Sequence, residues 1–276
     1  MAAPGGRLLK LAVFGHPVAH SLSPRIHGMF ADAAGVEIAY GRIDCPAGQL
    51  AEKLEAFRVG GGRGCNLTVP LKAEGLALAR QASPAAREAD ACNTLVKADD
   101  GWQADNTDGA GLIADLDRLG IEIADRRVLV LGAGGAVAGI LGPLLGRRPA
   151  DVHVVNRNPS RAEELAARFS RYGRQPEACG FDSIPADAKF DLIVQGTSLG
   201  HQGLCPPIRP EWLAPGAVAY DLNYGPAYEP FAARCVELGI GCFPGIGMLV
   251  EQAAVAFKLF TGTTPNTDPV HRALGK

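Results

Sequence analysis

An apolar run of strand length that ends in a glycine-rich turn is the feature that most constrains how this chain can fold. The stretch is VLVLGAGGAVAG, residues 128–139. Further apolar runs follow it, among them DVHVV, FDLIVQ and AVAYD. Helical stretches separate VLVLG from DVHVV and DVHVV from FDLIVQ. Strands that alternate with helices indicate a parallel, doubly wound sheet. We therefore expect the second half of the chain to form such a sheet.

The first half of the chain also has an α/β pattern. Its predicted strands lie at LLKLAVFG, EIAYGRIDC, GRGCNLTV, CNTLVKA and 102–106, and its predicted helices lie near 24–34, 47–58 and 72–81. The pattern restarts after a helix predicted at 108–120, which indicates a domain boundary near residue 107. A closing helix after Gly245, MLVEQAAVAFKLF, is free to pack back on the first domain.

Composition and charge exclude several classes of protein. The 276 residues are 47% apolar with a net charge of −2, so neither nucleic acid nor an anionic membrane is expected as the main partner. The seven cysteines are scattered without a CxxC pair, which argues against a disulfide framework or structural zinc and favours a reducing cytosol. The uncharged run 128–146 contains six glycines and Pro143, so it predicts a strand, a turn and a helix rather than a membrane span.

The glycine-rich turn has the pattern of a dinucleotide-binding loop. Gly132 permits a tight turn after the strand, and Gly134 lets the backbone approach a pyrophosphate at the N-terminus of the next helix. Val137 occupies the third position of the usual glycine pattern. A tight turn without a ligand therefore stays open as the alternative.

The residues after the second strand of this half favour NADP over NAD. This strand ends in Asn156, where an NAD enzyme usually has an acid that binds the ribose hydroxyls. Arg157 and Arg161 follow in NRNPSR, and guanidinium groups suit a 2′-phosphate. The alternative for each arginine is a solvated helix face.

Polar residues at the predicted strand ends of the first half indicate a small-molecule site. In CNLTVPLK, Asn66 and Thr68 alternate with apolar residues, and Lys72 follows a proline. Asn93 in ACNTL and Asp108 in DNTDG add polar groups, although both residue types are also common in turns.

Two serines precede the first predicted helix. Ser21 and Ser23 stand in HSLSP, and Pro24 follows at the first position of the helix. Ser23 and Pro24 have the pattern of a helix N-cap and its first residue, while the two hydroxyls could equally hold a carboxylate.

Together these motifs resemble the shikimate dehydrogenase family. The resemblance covers nearly the whole chain, through GHPVAHSLSP, NLTVPLK, ACNT, DNTDG, GAGGA, NRNPSR, YDLNYGP and GMLVEQAAVAF. It implies reversible, NADP-linked interconversion of shikimate and 3-dehydroshikimate, on the pathway to chorismate and aromatic amino acids. It also implies two α/β domains with a cleft between them, in a cytoplasmic protein that is a monomer or a homodimer. These are a substrate-binding domain (1–107, with 246–276 packing back on it) and a Rossmann-like NADP-binding domain (108–245).

The resemblance further implies a role for individual residues. Lys72 and Asp108 would be the catalytic pair, because oxidation of a secondary alcohol by hydride loss requires that its proton be removed. No metal is expected. The substrate-binding residues would be Ser21, Ser23, Asn66, Thr68, Asn93, Asp108, Tyr224 and Gln252. The cofactor-binding residues would be Gly132, Ala133, Gly134, Gly135, Ala136, Asn156, Arg157, Asn158, Arg161, Leu222, Gly245 and Met248.

Some positions depart from the family's usual residues, and none of them belongs to the substrate-binding set. Family members often have Asn-Ala-Thr at 195–197, where this chain has Gln-Gly-Thr. The other departures are Ala138, Asn158 and Glu229.

Two other functions stay open beside the one that the resemblance implies. The nearer is a quinate or quinate/shikimate dehydrogenase of the same fold, although such enzymes tend to have Thr at the position of Ser23 and an acid at that of Asn156. The other is a non-catalytic ligand-binding relative, and the presence of both Lys72 and Asp108 argues against it.

Overall fold

The computed structural model describes residues 8–173 and 175–275. They group into two compact units. The first unit consists of Met1–Gly111 and Leu249–Lys276, and the second consists of Leu112–Met248. The chain therefore leaves the first unit after Gly111 and returns to it at Leu249. Both crossings lie a few residues beyond the boundaries expected after 107 and 245.

The first unit is built on a six-stranded sheet in the order β2-β1-β3-β5-β6-β4. Its strands are β1 (Leu9–Gly15), β2 (Ile38–Asp44), β3 (Gly62–Leu67), β4 (Gln81–Ala82), β5 (Thr94–Ala98) and β6 (Gly101–Asp105). The helices between them are α1 (Ser23–Ala34), α2 (Leu50–Val59), α3 (Lys72–Leu78) and α4 (Pro84–Ala89).

This first sheet is mixed. β1 pairs in parallel with β2 and β3, whereas β5 pairs antiparallel with both β3 and β6. Only Asp99 and Asp100 connect β5 to β6, and two residues can join antiparallel strands but not parallel ones. The short connection therefore explains the change of direction at this side of the sheet.

The second unit has a six-stranded sheet in the order β12-β11-β10-β7-β8-β9, and every described pair in it is parallel. The first strand, β7, lies between β8 and β10, so the strand order reverses there. Ligands of such sheets bind beyond the carboxyl ends of the strands at this reversal. The strands are β7 (Arg127–Leu131), β8 (Asp151–Val155), β9 (Glu177–Cys179), β10 (Phe190–Gln195), β11 (Leu213–Asp221) and β12 (Gly241–Pro244).

The helices of the second unit follow the expected alternation. They are α5 (Asp108–Arg118), whose first turn belongs to the first unit, α6 (Gly135–Gly146), α7 (Pro159–Arg168) and α8 (Glu229–Glu237). Within the described parts of the chain, no helix is long and apolar enough to cross a membrane.

The chain returns to the first unit within α9 (Ile246–Thr261), and α10 (Asp268–Leu274) follows. α9 contributes Val250, Ala253 and Phe257 to a buried cluster that also contains Ile26 and Phe30 of α1. The C-terminal residues thus complete an apolar layer of the first unit.

Candidate active site

A lysine and an aspartate form a close ion pair in the first unit. Lys72 is the first residue of α3 and Asp108 is the first residue of α5. The Lys72 Nζ lies 2.5 Å from the Asp108 Oδ2, and the two side chains are 20% and 9% exposed. The structure thus brings together the two residues predicted as the catalytic pair, and the carboxylate is largely buried.

Asn93 connects this pair to a buried network. Its Nδ2 donates to the Asp108 Oδ1 at 2.7 Å and to the Thr107 Oγ1 at 2.9 Å, and it lies 3.3 Å from the Gln252 Oε1. Its Oδ1 accepts from the Thr107 backbone N–H at 2.9 Å. Because both ends of the amide are bound, Asn93 holds Asp108 and Gln252 in fixed positions.

The network continues to Asn66 through Thr94. The Thr94 hydroxyl donates to the Asn93 Oδ1 at 2.9 Å, and the Asn66 Nδ2 donates to the Thr94 Oγ1 at 3.0 Å. The Tyr40 hydroxyl donates to the Asn66 Oδ1 at 2.7 Å. The sequence prediction included Asn66 and Asn93 but not Thr94, Tyr40 or Thr107. A signal for Thr94 and Thr107 was present in the sequence, because each follows an asparagine, in ACNT and DNT. There was none for Tyr40, which lies inside a predicted strand.

The two predicted carboxylate-binding serines lie side by side. The Ser21 hydroxyl donates to the Ser23 Oγ at 3.2 Å, and the exposed Arg42 donates twice to the Ser21 carbonyl, at 2.7 and 3.1 Å. Leu22 occupies the N-cap position of α1, so Ser23 does not serve as its cap. The structure therefore removes the N-cap alternative and places the two hydroxyls side by side at the start of α1.

Thr68 lies beyond the end of β3, next to Gly15 at the end of β1. The Thr68 backbone N–H donates to the Phe14 carbonyl at 2.9 Å. A Cβ on Gly15 would overlap the Thr68 side chain, so a glycine is needed where these two strands end. The half-buried Thr68 side chain is thereby held at the carboxyl end of the sheet.

The turn after β7 in the second unit has the form that a dinucleotide requires. Gly132 has φ +112°, a conformation that other residues rarely adopt, and its N–H donates to the Val155 carbonyl at 2.7 Å. Gly134 is the N-cap of α6, and no side chain caps that helix. A Cβ on Gly134 or Gly135 would meet nothing within 4 Å. Uncapped N–H groups beneath open space fit a bound pyrophosphate.

The predicted 2′-phosphate residues lie at the start of α7. Asn158 is its N-cap and accepts from the Ser160 N–H at 3.2 Å, while the Asn156 Nδ2 donates to the Asn158 carbonyl at 3.0 Å. Arg157 and Arg161 are both exposed. The two amides shape the turn, and the two guanidinium groups are accessible to an anion at a helix N-terminus.

The loops after β7, β10, β11 and β12 touch one another at the carboxyl edge of the second sheet. A Cβ on Gly132 would lie 3.1 Å from the Gly196 backbone, and one on Gly196 would lie 3.1 Å from the Leu222 side chain. A Cβ on Gly245 would overlap the Leu222 carbonyl. We call these four residues the glycine-loop row: Gly132, Gly196, Leu222 and Gly245. Three of them belong to the predicted cofactor-binding set.

A buried aspartate supports this row from β11. Asp221 is fully buried, and its Oδ1 accepts from the Asn223 backbone N–H at 2.9 Å and from the Asn223 Nδ2 at 2.8 Å. The Oδ2 has no hydrogen-bond partner among the described residues. Burial raises the pKa of this carboxyl to about 7, and the hydrogen bonds from Asn223 oppose the rise in part. Asn223 also donates to the Thr197 carbonyl at 3.2 Å, which joins the loops after β10 and β11.

Tyr224 is the predicted substrate-binding residue that belongs to the second unit. It lies in the loop after β11, is half-buried, and burial raises the pKa of its phenol above the ordinary value. The hydroxyl is therefore protonated and can donate a hydrogen bond.

Sequence comparison places these features in a family. The profile of the shikimate dehydrogenase substrate binding domain matches residues 13–95, that of shikimate / quinate 5-dehydrogenase matches 116–202, and that of the shikimate 5′-dehydrogenase C-terminal domain matches 245–274. The shikimate dehydrogenase (NADP⁺) of Methylococcus capsulatus is 45% identical over 96% of this chain and 95% of its own length. The chain belongs to the shikimate dehydrogenase family.

Solved structures agree with this membership. The shikimate 5-dehydrogenase of Thermus thermophilus, in complex with NADP(H) and shikimate, is 34% identical with a TM-score of 0.84, over 96% of this chain and 98% of its own. An Ael1 enzyme from Pseudomonas putida is 36% identical with a TM-score of 0.90, over the same shares of the two chains. The two-domain α/β fold is thus the fold of the family.

Three of the departures from the usual family residues, Gln195, Gly196 and Asn158, are accommodated by local contacts. Gln195 is fully buried, and its Oε1 accepts from the Thr197 N–H at 2.5 Å while its Nε2 donates to the Thr197 carbonyl at 3.3 Å. A Cβ on Gly196 would lie 2.5 Å from the Val137 side chain, so the glycine makes room for Val137. Asn158 caps α7, as described above. Gln195 and Gly196 are therefore compatible with the loop after β10, which lies beside the predicted cofactor turn.

One cluster outside these sites has side chains of metal-binding type. The ligand atoms of Asp151, His153 and Glu177 lie within 4.8 Å of one another. The His153 Nε2 lies 3.1 Å from the Asp151 Oδ2, while its Nδ1 is buried without a partner among the described residues. A metal-bound histidine normally donates its second N–H to an acceptor. This arrangement therefore favours an imidazole that is hydrogen-bonded to the Asp151 carboxylate.

Proposed function

We propose that this protein catalyses the reversible reduction of 3-dehydroshikimate to shikimate with NADPH. The observation that carries the proposal is the pair of Lys72 and Asp108, joined at 2.5 Å and fixed by Asn93. The family membership and the NADP-named relatives support the choice of substrate and cofactor.

Substrate binding is assigned to the polar side chains of the first unit, with Tyr224 contributed by the second. Ser21 and Ser23 bind the carboxylate, since their adjacent hydroxyls lie at the start of a helix. Tyr224 donates to the same carboxylate. The ring hydroxyls are bound by Asn66, Asn93, Asp108 and Gln252, which belong to the buried network, and by Thr68, which lies at the carboxyl end of the first sheet.

The acid–base step is assigned to Lys72. When shikimate is oxidised, the C–H bond breaks as a hydride and the hydroxyl proton passes to the Lys72 amine; in the reduction, the ammonium returns that proton. Asp108 orients Lys72 through their close contact and accepts from a neighbouring ring hydroxyl, so the proton of the reacting hydroxyl can pass to Lys72. Bound NADP⁺ supplies the hydride acceptor.

Cofactor binding is assigned to the carboxyl edge of the second sheet. The pyrophosphate lies on the uncapped start of α6, and the 2′-phosphate lies between Arg157 and Arg161. Neither arginine has an acidic residue beside it in NRNPSR, so the turn does not repel the phosphate. The remaining residues of this assignment are Gly132, Ala133, Gly134, Gly135, Ala136, Asn156, Asn158, Leu222, Gly245 and Met248.

We also propose a place in the pathway to aromatic amino acids, in the cytoplasm. All seven cysteines are free thiols, as expected in a reducing compartment. Size-exclusion chromatography with light scattering would decide between a monomer and a homodimer.

An initial-rate assay tests the proposed function. Purified protein is given shikimate or quinate, each with NADP⁺ or NAD⁺, and the absorbance of the reduced nicotinamide is followed. We expect the highest kcat/KM with shikimate and NADP⁺. A higher value with quinate would assign the enzyme to the quinate branch of the family, and no turnover of either acid would favour a ligand-binding protein.

A further inference from the structure

We propose that Asp115 and Tyr220 are positioning residues that hold the start of α9 in place for the reaction proposed above, on which this inference rests. The Tyr220 hydroxyl donates to the Asp115 Oδ2 at 2.7 Å and accepts from the Met248 backbone N–H at 3.1 Å. Tyr220 is fully buried and Asp115 is 1% exposed. All three residues belong to the second unit.

The carboxylate of Asp115 is built into the fold. Arg118, one turn further along α5, donates to the Asp115 Oδ1 at 2.8 Å through Nε and lies 2.7 Å from it through Nη2. A Cβ on Gly247 would overlap the Asp115 carboxylate, so the first turn of α9 can approach it only because residue 247 is glycine. The buried charge is thus paired, and it lies against the N-terminus of a helix.

The direction of each hydrogen bond in this group is defined. Burial, reinforced by the nearby Asp115 carboxylate, raises the pKa of Tyr220 far above the ordinary value of a phenol. The hydroxyl therefore keeps its proton, donates it to Asp115, and offers a lone pair to Met248. The N–H of Met248 lies in the first turn of α9, where N–H groups have no acceptor within the helix, and the helix dipole favours the negative charge of Asp115.

This contact lies at the end of the glycine-loop row. Gly245, the last member of the row, precedes α9 directly, and its N–H donates to the Asn223 carbonyl at 2.9 Å. The row lies at the carboxyl edge of a parallel sheet, where ligands of such sheets bind. Asp115 and Tyr220 contact the first turn of α9 and act through Met248 and Gly245, which the proposed function assigns to the cofactor. They affect the reaction by fixing these residues.

The test compares two tyrosine variants. Tyr220→Phe keeps the ring but leaves the Met248 N–H and the Asp115 Oδ2 without their shared partner. Tyr228→Phe is the control, because the Tyr228 hydroxyl also donates to a backbone carbonyl of the second unit, that of the half-buried Cys242, at 2.9 Å. From the loss of a buried hydrogen bond, we expect Tyr220→Phe to raise the KM for NADP⁺ by about 10-fold. The KM for shikimate should stay within about two-fold of the wild-type value.

The proposal is supported if Tyr220→Phe raises the KM for NADP⁺ at least five times as much as Tyr228→Phe does. A smaller difference overturns it. The criterion holds even if both variants lose the same thermal stability. If Tyr220→Phe fails to fold, Asp115→Asn is judged by the same threshold. If the wild-type protein turns over no shikimate, the proposed function fails. Calorimetric Kd values of the same variants for NADP⁺ then decide the role of Tyr220 by that threshold.

Discussion

The buried carboxyl of Asp221 predicts a specific dependence of stability on pH. Its pKa of about 7 in the folded protein compares with 3.8 for the free side chain. A raised pKa means that the folded state holds the proton more tightly than the unfolded state does. The resulting stabilisation is fully present below pH 3.8 and is lost as the pH rises through 7.

The size of the effect follows from the shift. Each unit of pKa corresponds to about 1.4 kcal/mol, so the whole effect is on the order of 4 kcal/mol. About 3 kcal/mol of it falls between pH 5 and pH 8. Replacing Asp221 by asparagine removes the titration and retains an oxygen that accepts from Asn223. Any cost of the new amide is independent of pH and cancels between the two conditions.

Urea unfolding at pH 5 and pH 8 measures this quantity. The chain has two tryptophans, and a Trp102→Phe background leaves the buried Trp212 of the second unit. Its fluorescence therefore reports on the unfolding of that unit. The free energy of unfolding of Asp221→Asn relative to the parent should increase by about 3 kcal/mol from pH 5 to pH 8. The control Asp182→Asn, whose side chain is 92% exposed, should show no such change. A change below about 1 kcal/mol for Asp221→Asn would refute the reasoning.

Three further predictions concern catalysis and specificity. Lys72→Ala should lower kcat by on the order of 10²–10⁴ with little change in KM, because proton transfer develops in the transition state; a folded variant with kcat within a few-fold of wild type would remove Lys72 from catalysis. Arg157→Ala should raise the KM for NADP⁺ and leave NAD⁺ turnover unchanged, whereas the exposed Arg63→Ala, in the first unit, should change neither. Shikimate should exceed quinate in kcat/KM by about 5- to 150-fold, because we expect the extra hydroxyl of quinate to stay unpaired beside Ser23, and an unpaired buried polar group weakens binding; comparable values would contradict this.

The parts of the fold that depend on local sequence could be predicted. The strand, glycine turn and helix at 128–139 lie next to one another in the chain, and the structure confirms the parallel sheet that they indicate. Lys72 and Asp108 were paired through the family resemblance. The three-residue β9 has too few residues for a recognisable period, and the reversal at β5 and β6 depends on a two-residue connection.

The support for the candidate site could not be predicted, because it depends on pairs that are distant in sequence. Tyr40 contacts Asn66, and Asp115 contacts Tyr220, across 26 and 105 positions. A tyrosine in an apolar strand has the same pattern whether its hydroxyl meets solvent or a buried amide. Such residues become visible only when the sheet places their hydroxyls beside an acceptor.

The divided first unit has a consequence for synthesis on the ribosome. Its buried cluster needs Val250, Ala253 and Phe257 beside Ile26 and Phe30, so α1 exposes this apolar surface until α9 has been translated. The second unit, in contrast, is continuous and can fold as soon as it has emerged. In the nascent chain, therefore, the second unit can fold while one apolar layer of the first unit still lacks α9, and a chain that stops after residue 248 has the complete second sheet without that layer.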